Sequence, residues 1–224
     1  MDEDSLTAKL LEIQQYAVAR LESLGIDVPD LVRNVHVVAN ENFWNDCIDL
    51  LSYVEVVDDE YLNKFDTLIF EGAQGLLLSE AHGVMPHLTP SDPGCTNVMD
   101  ICNKLGVNDV SLCYITRVYT TRHGAGPLHQ ESNWESLGIF SDAIANETNI
   151  TNEFQGSFRY SYLDVESVSS AITGDITNAS KFGIIPKIEL STTCVDQIKA
   201  MEFVVSYLPA LNDLIDRVKP SSIS

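Results

Sequence analysis

The run DVSLCYITRVYTT, from Asp109 to Thr121, narrows the possible folds more than any other stretch of this chain. Its β-branched and aromatic residues predict a strand, and the strand feeds directly into TTRHGAGPLHQES, Thr120 to Ser132. There two glycines flank an alanine and a proline follows. Glycine lets backbone approach a partner closely, and ligands of open α/β sheets sit beyond the carboxyl ends of the strands. The loop holds no lysine of the kind that a phosphate-binding loop needs.

The remaining periodicity fits the same class. Leu6 to Leu24 carries apolar residues at helical spacing and stops at Gly25, and a second helix is predicted from Phe43 through FWNDCIDLLSYV. VHVVA, from Val35, predicts a short strand, and DTLIFEG, Asp66 to Gly72, a buried one ending in glycine. Ala73 to Cys95 has no clear period, and so long a connection inside a compact domain is often functional. Helices are predicted over Thr96 to Leu105 and Asp164 to Ala179, with a strand at GIIPKIELSTT between the latter and the C-terminal segment. Val195 to Val218 predicts a long amphipathic helix interrupted by Pro209. Strands alternating with helices predict an α/β fold, with a mainly parallel sheet and flanking helices. With no repeat and no evident linker, the expectation is a single α/β domain over residues 1–224.

Composition excludes several functions. Thirteen Lys and Arg stand against 33 Asp and Glu, a formal charge of −20, so the surface repels nucleic-acid backbones and no nucleic-acid partner is expected. The start, MDEDSLTAKL, is acidic, and no apolar run is long enough for a bilayer, which predicts a cytoplasmic protein without a membrane partner. The five cysteines are scattered with no CxxC pair, so no metal site is expected and the thiols are read as reduced. The triplets at Asn146, Asn149 and Asn178 are read as chance.

Five elements carry polar groups that chemistry could use. FEGAQG, Phe70 to Gly75, places Gln74 at a strand mouth, with an incidental turn residue as the alternative. HGVMPHLTPSDPG, His82 to Gly94, offers Thr89 and Ser91 as phosphate donors, or ordinary turn chemistry. The glycine loop contributes His123. NEFQGSFRYSYLD brings Arg159, which binds an anion, pairs with a carboxylate or stacks on Tyr160. In TTCVDQI, Asp196 accepts from the edge of a base or caps a helix.

In this order the elements resemble the adenylosuccinate synthetase family, most clearly over residues 49–201, with EGAQG and TRHGAGP the most specific. The resemblance implies the C-terminal part of that family's P-loop-like fold. It implies a ligase that joins L-aspartate to C6 of a 6-oxopurine nucleotide, IMP or a guanylate, using GTP or ATP and Mg2+. Gln74 would support catalysis and hydrogen-bond the purine's reacting edge, Thr89 would hold the monophosphate, and His123 would line the ribose. Arg159 would contact the triphosphate and shape the aspartate site, and Asp196 would read the triphosphate's base. A homodimer is implied as well.

The departures from the family pattern are specific. GSFR supplies one arginine where several are usual, and Cys194 replaces the lysine of a TKLD-like segment. An alternative alignment puts PKIE, with Lys187 and Glu189, on that segment. These changes suit a divergent, phage-type branch acting on deoxyguanylate. The family's GDEGKGK phosphate loop, its catalytic aspartate and its histidine have no counterpart before Asp66, and His36 in VHVVA is a poor substitute for the acid. The expectation is therefore a partial chain, inactive alone, that works with a separate N-terminal phosphate-loop segment. The alternative is a nucleotide-binding or scaffolding pseudoenzyme.

Overall fold

A computed structural model describes residues 3–30, 33, 41–145, 147 and 150–223. The strand predicted at VHVVA with its His36, and the triplets at Asn146 and Asn149, lie outside those residues. The chain divides into two compact units, Met1–Asp58 and Asp59–Ser224. The first holds helices α1 (Glu3–Ser23) and α2 (Glu41–Tyr53). Within it Arg33 donates to the carbonyl of Val28 at 3.0 Å and pairs with Glu22.

The second unit has the α/β architecture. Helix α3 (Thr96–Leu105) precedes strands β1 (Ser111–Arg117), β2 (Tyr119–His123) and β3 (Glu131–Ser132). Then come α4 (Ser141–Ala145), β4 (Phe158–Tyr162), α5 (Val165–Ser180) and β5 (Lys187–Thr193). A short α6 (Ala200–Glu202), α7 (Leu208–Val218) and β6 (Ser222–Ile223) complete it. β1, β5 and β6 form a parallel sheet in that order, with Ser111 opposite Lys187 and Arg117 opposite Thr193. β2, β4 and β3 form a second, antiparallel sheet.

Three expectations change. Asp109 to Thr121 is two strands in different sheets: the amide of the fully buried Val118 donates to the Thr193 carbonyl as the last rung of the β1–β5 ladder, and beyond it the chain pairs with β4 instead. Asp66 to Gly72 is not a strand: a strand needs a ladder, none forms here among the described residues, and Ile69 is 92% exposed. The predicted long C-terminal helix is instead a 3-10 turn (Val195–Gln197), α6, a π-helical stretch (Phe203–Tyr207) and α7. Pro209 sits in the first turn of α7, where its missing N–H is harmless, and the same missing donor disturbs the ladder of the turn before it.

Helix α5 organises the unit. Asp164 caps it, accepting from the Ser167 amide at 3.1 Å and from the Ser167 hydroxyl at 2.8 Å. One face packs with α7 and the sheets around Leu137, Ile139, Leu190, Tyr207 and Leu214, all fully or almost fully buried. Tyr207 satisfies its phenol there by donating to the Leu137 carbonyl at 2.6 Å. Its C-terminal end packs through Ala179 on Cys95, Met99 and Cys102.

Between these clusters lies Asp175, a buried carboxylate. It accepts from the Cys95 amide at 2.9 Å and from the Tyr114 hydroxyl at 2.9 Å. Burial, then the Asp175 charge, pushes the Tyr114 phenol far above its ordinary range and the Cys95 thiol up to about 12. Gly94 must be glycine for the approach: a Cβ would lie 2.4 Å from the Asp175 carboxylate. Removing the carboxylate leaves the buried Cys95 amide and the half-buried Tyr114 phenol unpaired, at about 1–3 kcal/mol each. Asp175→Ala is expected to lower urea-unfolding stability by about 2–4 kcal/mol. An unchanged midpoint would show that the two donors find water instead.

Candidate active site

The glycine loop, the Gly72–Gly75 turn and the outer side of β1 surround one cavity of about 1800 Å3. Phe70, Gln74, Tyr114, Arg122 and His123 are among the residues that line it. The cavity sits among strand ends and glycine turns, as the loop chemistry predicts.

Gln74 occupies the left-handed region at φ 72°, which is uncommon and strained for a residue with a side chain. Its side chain is exposed to the cavity, and no hydrogen bond to it is found among the described residues. His123 ends β2, its Nε2 3.2 Å from the Gly156 carbonyl and its ring edge-on to Phe158 at 5.8 Å. Gln74 and His123 are thus brought to one cavity. Thr89, Arg159 and Asp196 do not line it.

Thr89 and Ser91 form a turn whose hydroxyls bond each other at 2.9 Å, while the Thr89 amide donates to the Leu78 carbonyl at 2.8 Å. Asp196 lies exposed in the 3-10 turn after β5, and Cys194 before it is left-handed at φ 64°. Arg159 is engaged by protein: its Nε and Nη2 grip both oxygens of Glu131, at 2.8 and 2.5 Å, and its Nη1 donates to the carbonyls of Gly124 and Gly126. Of the three readings open to Arg159 from sequence, carboxylate pairing describes its geometry. The arginine clasps the glycine loop to β3.

Two arginines in this region had no role assigned from sequence. Arg117 pairs with Glu147 at 3.1 Å and lies 5.7 Å over the Phe158 ring. Arg122 donates to the Ala125 carbonyl at 2.9 Å and the His87 carbonyl at 3.2 Å, tying the glycine loop to the His82–Gly94 loop. The sequence does place Arg122 beside the glycines, but only the strand register shows which way it works. Among the described residues no group of three or more His, Cys, Asp or Glu side chains is arranged to hold a metal ion. Among them, too, no helix is long and apolar enough to cross a membrane.

Comparison with known proteins gives one family. A sequence profile described as Adenylosuccinate synthetase matches residues 1–182. Among curated relatives, the adenylosuccinate synthetase of Clostridium botulinum (strain Alaska E43 / Type E3) is 33% identical over 72% of this chain and 37% of its own length. That of Anaplasma marginale (strain St. Maries) is 29% identical over 69% of this chain and 36% of the relative. That of Wigglesworthia glossinidia brevipalpis is 27% identical over 97% of this chain and 48% of the relative. The chain spans less than half the length of these curated relatives.

The Arg159 clasp gives a pH signature. The hydrogen bond from Arg159 holds the Glu131 carboxyl below the usual carboxylate range. Its stabilising effect is therefore complete above the unfolded glutamate value of about 4.3 and is lost as pH falls through the depressed folded value. Because the pair is partly exposed, the effect is modest. Thermal melts from pH 6 down to about pH 3 are expected to fall more steeply for the wild type than for Glu131→Gln. Parallel curves would show that the clasp contributes no charge-dependent stability.

Proposed function

The chain belongs to the adenylosuccinate synthetase family, and on that premise we propose that it forms the purine-nucleotide side of a ligase. The reaction joins L-aspartate to C6 of a 6-oxopurine nucleotide, IMP or a guanylate, with hydrolysis of GTP or ATP in the presence of Mg2+. The observation that carries the reading is Gln74: a strained, left-handed residue whose amide faces the cavity without a described protein partner. Strain of this kind persists where the surroundings fix it, and such positions cluster at functional sites. An amide there can donate to O6 as negative charge develops on it, and the cavity walls hold the base in line. His123 borders the ribose, Thr89 with Ser91 serves the monophosphate, and Asp196 reads the base of the triphosphate. Cytoplasmic location and a homodimer accompany this reading.

A separate phosphate-loop segment is part of the proposal. β1 is the outer strand of its sheet among the described residues, and its free edge borders the same cavity as the apolar Asp66–Gly72 run. A parallel strand carrying a phosphate loop can pair with that edge of β1, which has backbone groups to satisfy. One observation favours a second reading, a nucleotide-binding pseudoenzyme: Arg159, the arginine of the thinned basic loop, is held by Glu131.

Three measurements test these readings. Gln74→Gly is expected to raise unfolding stability by about 0.5–1 kcal/mol, since glycine relieves the left-handed strain. In the complete enzyme, Gln74→Ala is expected to lower kcat by about 10- to 100-fold with a smaller change in KM, because its contact strengthens in the transition state. A raised KM at unchanged kcat would remove Gln74 from the chemistry. This chain alone is expected to show no aspartate-dependent phosphate release, and addition of a polypeptide bearing a GDEGKG-like loop to restore it. Failure of restoration with nucleotide binding intact would favour the pseudoenzyme.

A further inference from the structure

β2 and β4 pair so that Arg122 stands directly opposite Arg159. Like charges in that position repel, and this chain has 13 basic residues against 33 acidic ones with which to avoid it. Arg159 is neutralised by Glu131. Arg122 is not: among the described residues no carboxylate lies within ion-pair distance of it, and its partners are two neutral carbonyls. Burial, and then the Arg159 charge, lower its pKa from the ordinary value, the signature of a cation without a counter-charge. The carbonyls of Ala125 and His87 fix Nε and Nη2, while no hydrogen bond from Nη1 is found among the described residues. Arg117, the other arginine lining the cavity, is paired with Glu147.

The surroundings are shaped around this guanidinium. A Cβ on Gly126 would lie 2.5 Å from Arg122 Nη2 and 2.9 Å from the His87 Cβ, so the bare glycine admits the side chain. Thr120, Thr121 and His123 line the cavity with it. We infer that Arg122 binds an oxyanion, a carboxylate or phosphate group, in this cavity. A guanidinium with a fixed plane and a free nitrogen presents hydrogen bonds matched to either group, and its charge is uncompensated until one arrives. The inference needs only the cavity and this residue, so it stands or falls apart from the ligase reading. Within that reading, Arg122 takes up anion binding that Arg159, clasped to Glu131, does not supply.

The test uses this chain as it is, with inorganic phosphate and succinate as separate probes followed by amide NMR. Saturable shifts at the His123–Gly126 amides are expected with a Kd on the order of 1–10 mM for at least one probe. The probe that binds identifies the class, phosphate or dicarboxylate. Arg122→Gln is expected to weaken binding at least about tenfold, and Arg122→Lys, which keeps the charge but not the fork, by less. The net charge of −20 works against non-specific anion binding, so saturation marks a site. Should the substitutions loosen the glycine loop, phenylglyoxal labelling of the wild type mapped by mass spectrometry decides, with Arg122 protected by the bound anion. Absence of shifts with both probes up to about 50 mM, undiminished binding by Arg122→Gln, or unprotected Arg122 would overturn the inference.

Discussion

The hydrogen bonds that the Asp175 carboxylate accepts from two donors tie the second unit together. One carboxylate on α5 takes the amide that opens α3 and the phenol at the centre of β1, so a helix, a strand and the long loop between Gly72 and Cys95 share one anchor. A buried charge is tolerable only when its oxygens are satisfied, and the bare backbone at Gly94 is what allows the approach. The cavity walls inherit their positions from this contact, because the turn with Gln74 leads into the loop that it ends.

Electrostatics explain how an acidic chain keeps a basic spot at that cavity. β2 and β4 bring Arg122 and Arg159 side by side, and β3 delivers Glu131 to one of them only. The glycine loop is then held from both sides: Arg159 takes the carbonyls of Gly124 and Gly126, and Arg122 that of Ala125. Guanidinium groups here act first as backbone brackets, which is why a loop without lysine keeps a fixed shape.

Much of the fold was legible because it depends on short-range pattern. The helical pattern of α5 and the β-branched run of β5 are local features, and the structure places both as expected. Asp66 to Gly72 was misread because strand formation depends on a neighbour, and an apolar run carries no statement of whether a neighbour is present. The change of sheet at Val118 was invisible for a related reason: it is set by the pairing of β2 with β4, distant in the chain. In the candidate site the motifs located Gln74 and His123 at one cavity, whereas the partner of Arg159 required the register of β3 on β4. Arg122 was in plain view within TTRHGAGP, but a lone letter does not show whether a charge is compensated.

Val118 has a mechanical consequence. A single residue joins the last position of β1 to the first of β2, and its amide bonds the carbonyl of Thr193, the residue just before Cys194 and the 3-10 turn with Asp196. The two turns, one leading to the glycine loop and the other past β5, therefore share a fulcrum buried in the core. A tilt of one is carried to the other through that peptide rather than absorbed by slack, because a packed interior transmits strain. Two loops that look independent in the sequence are geared together.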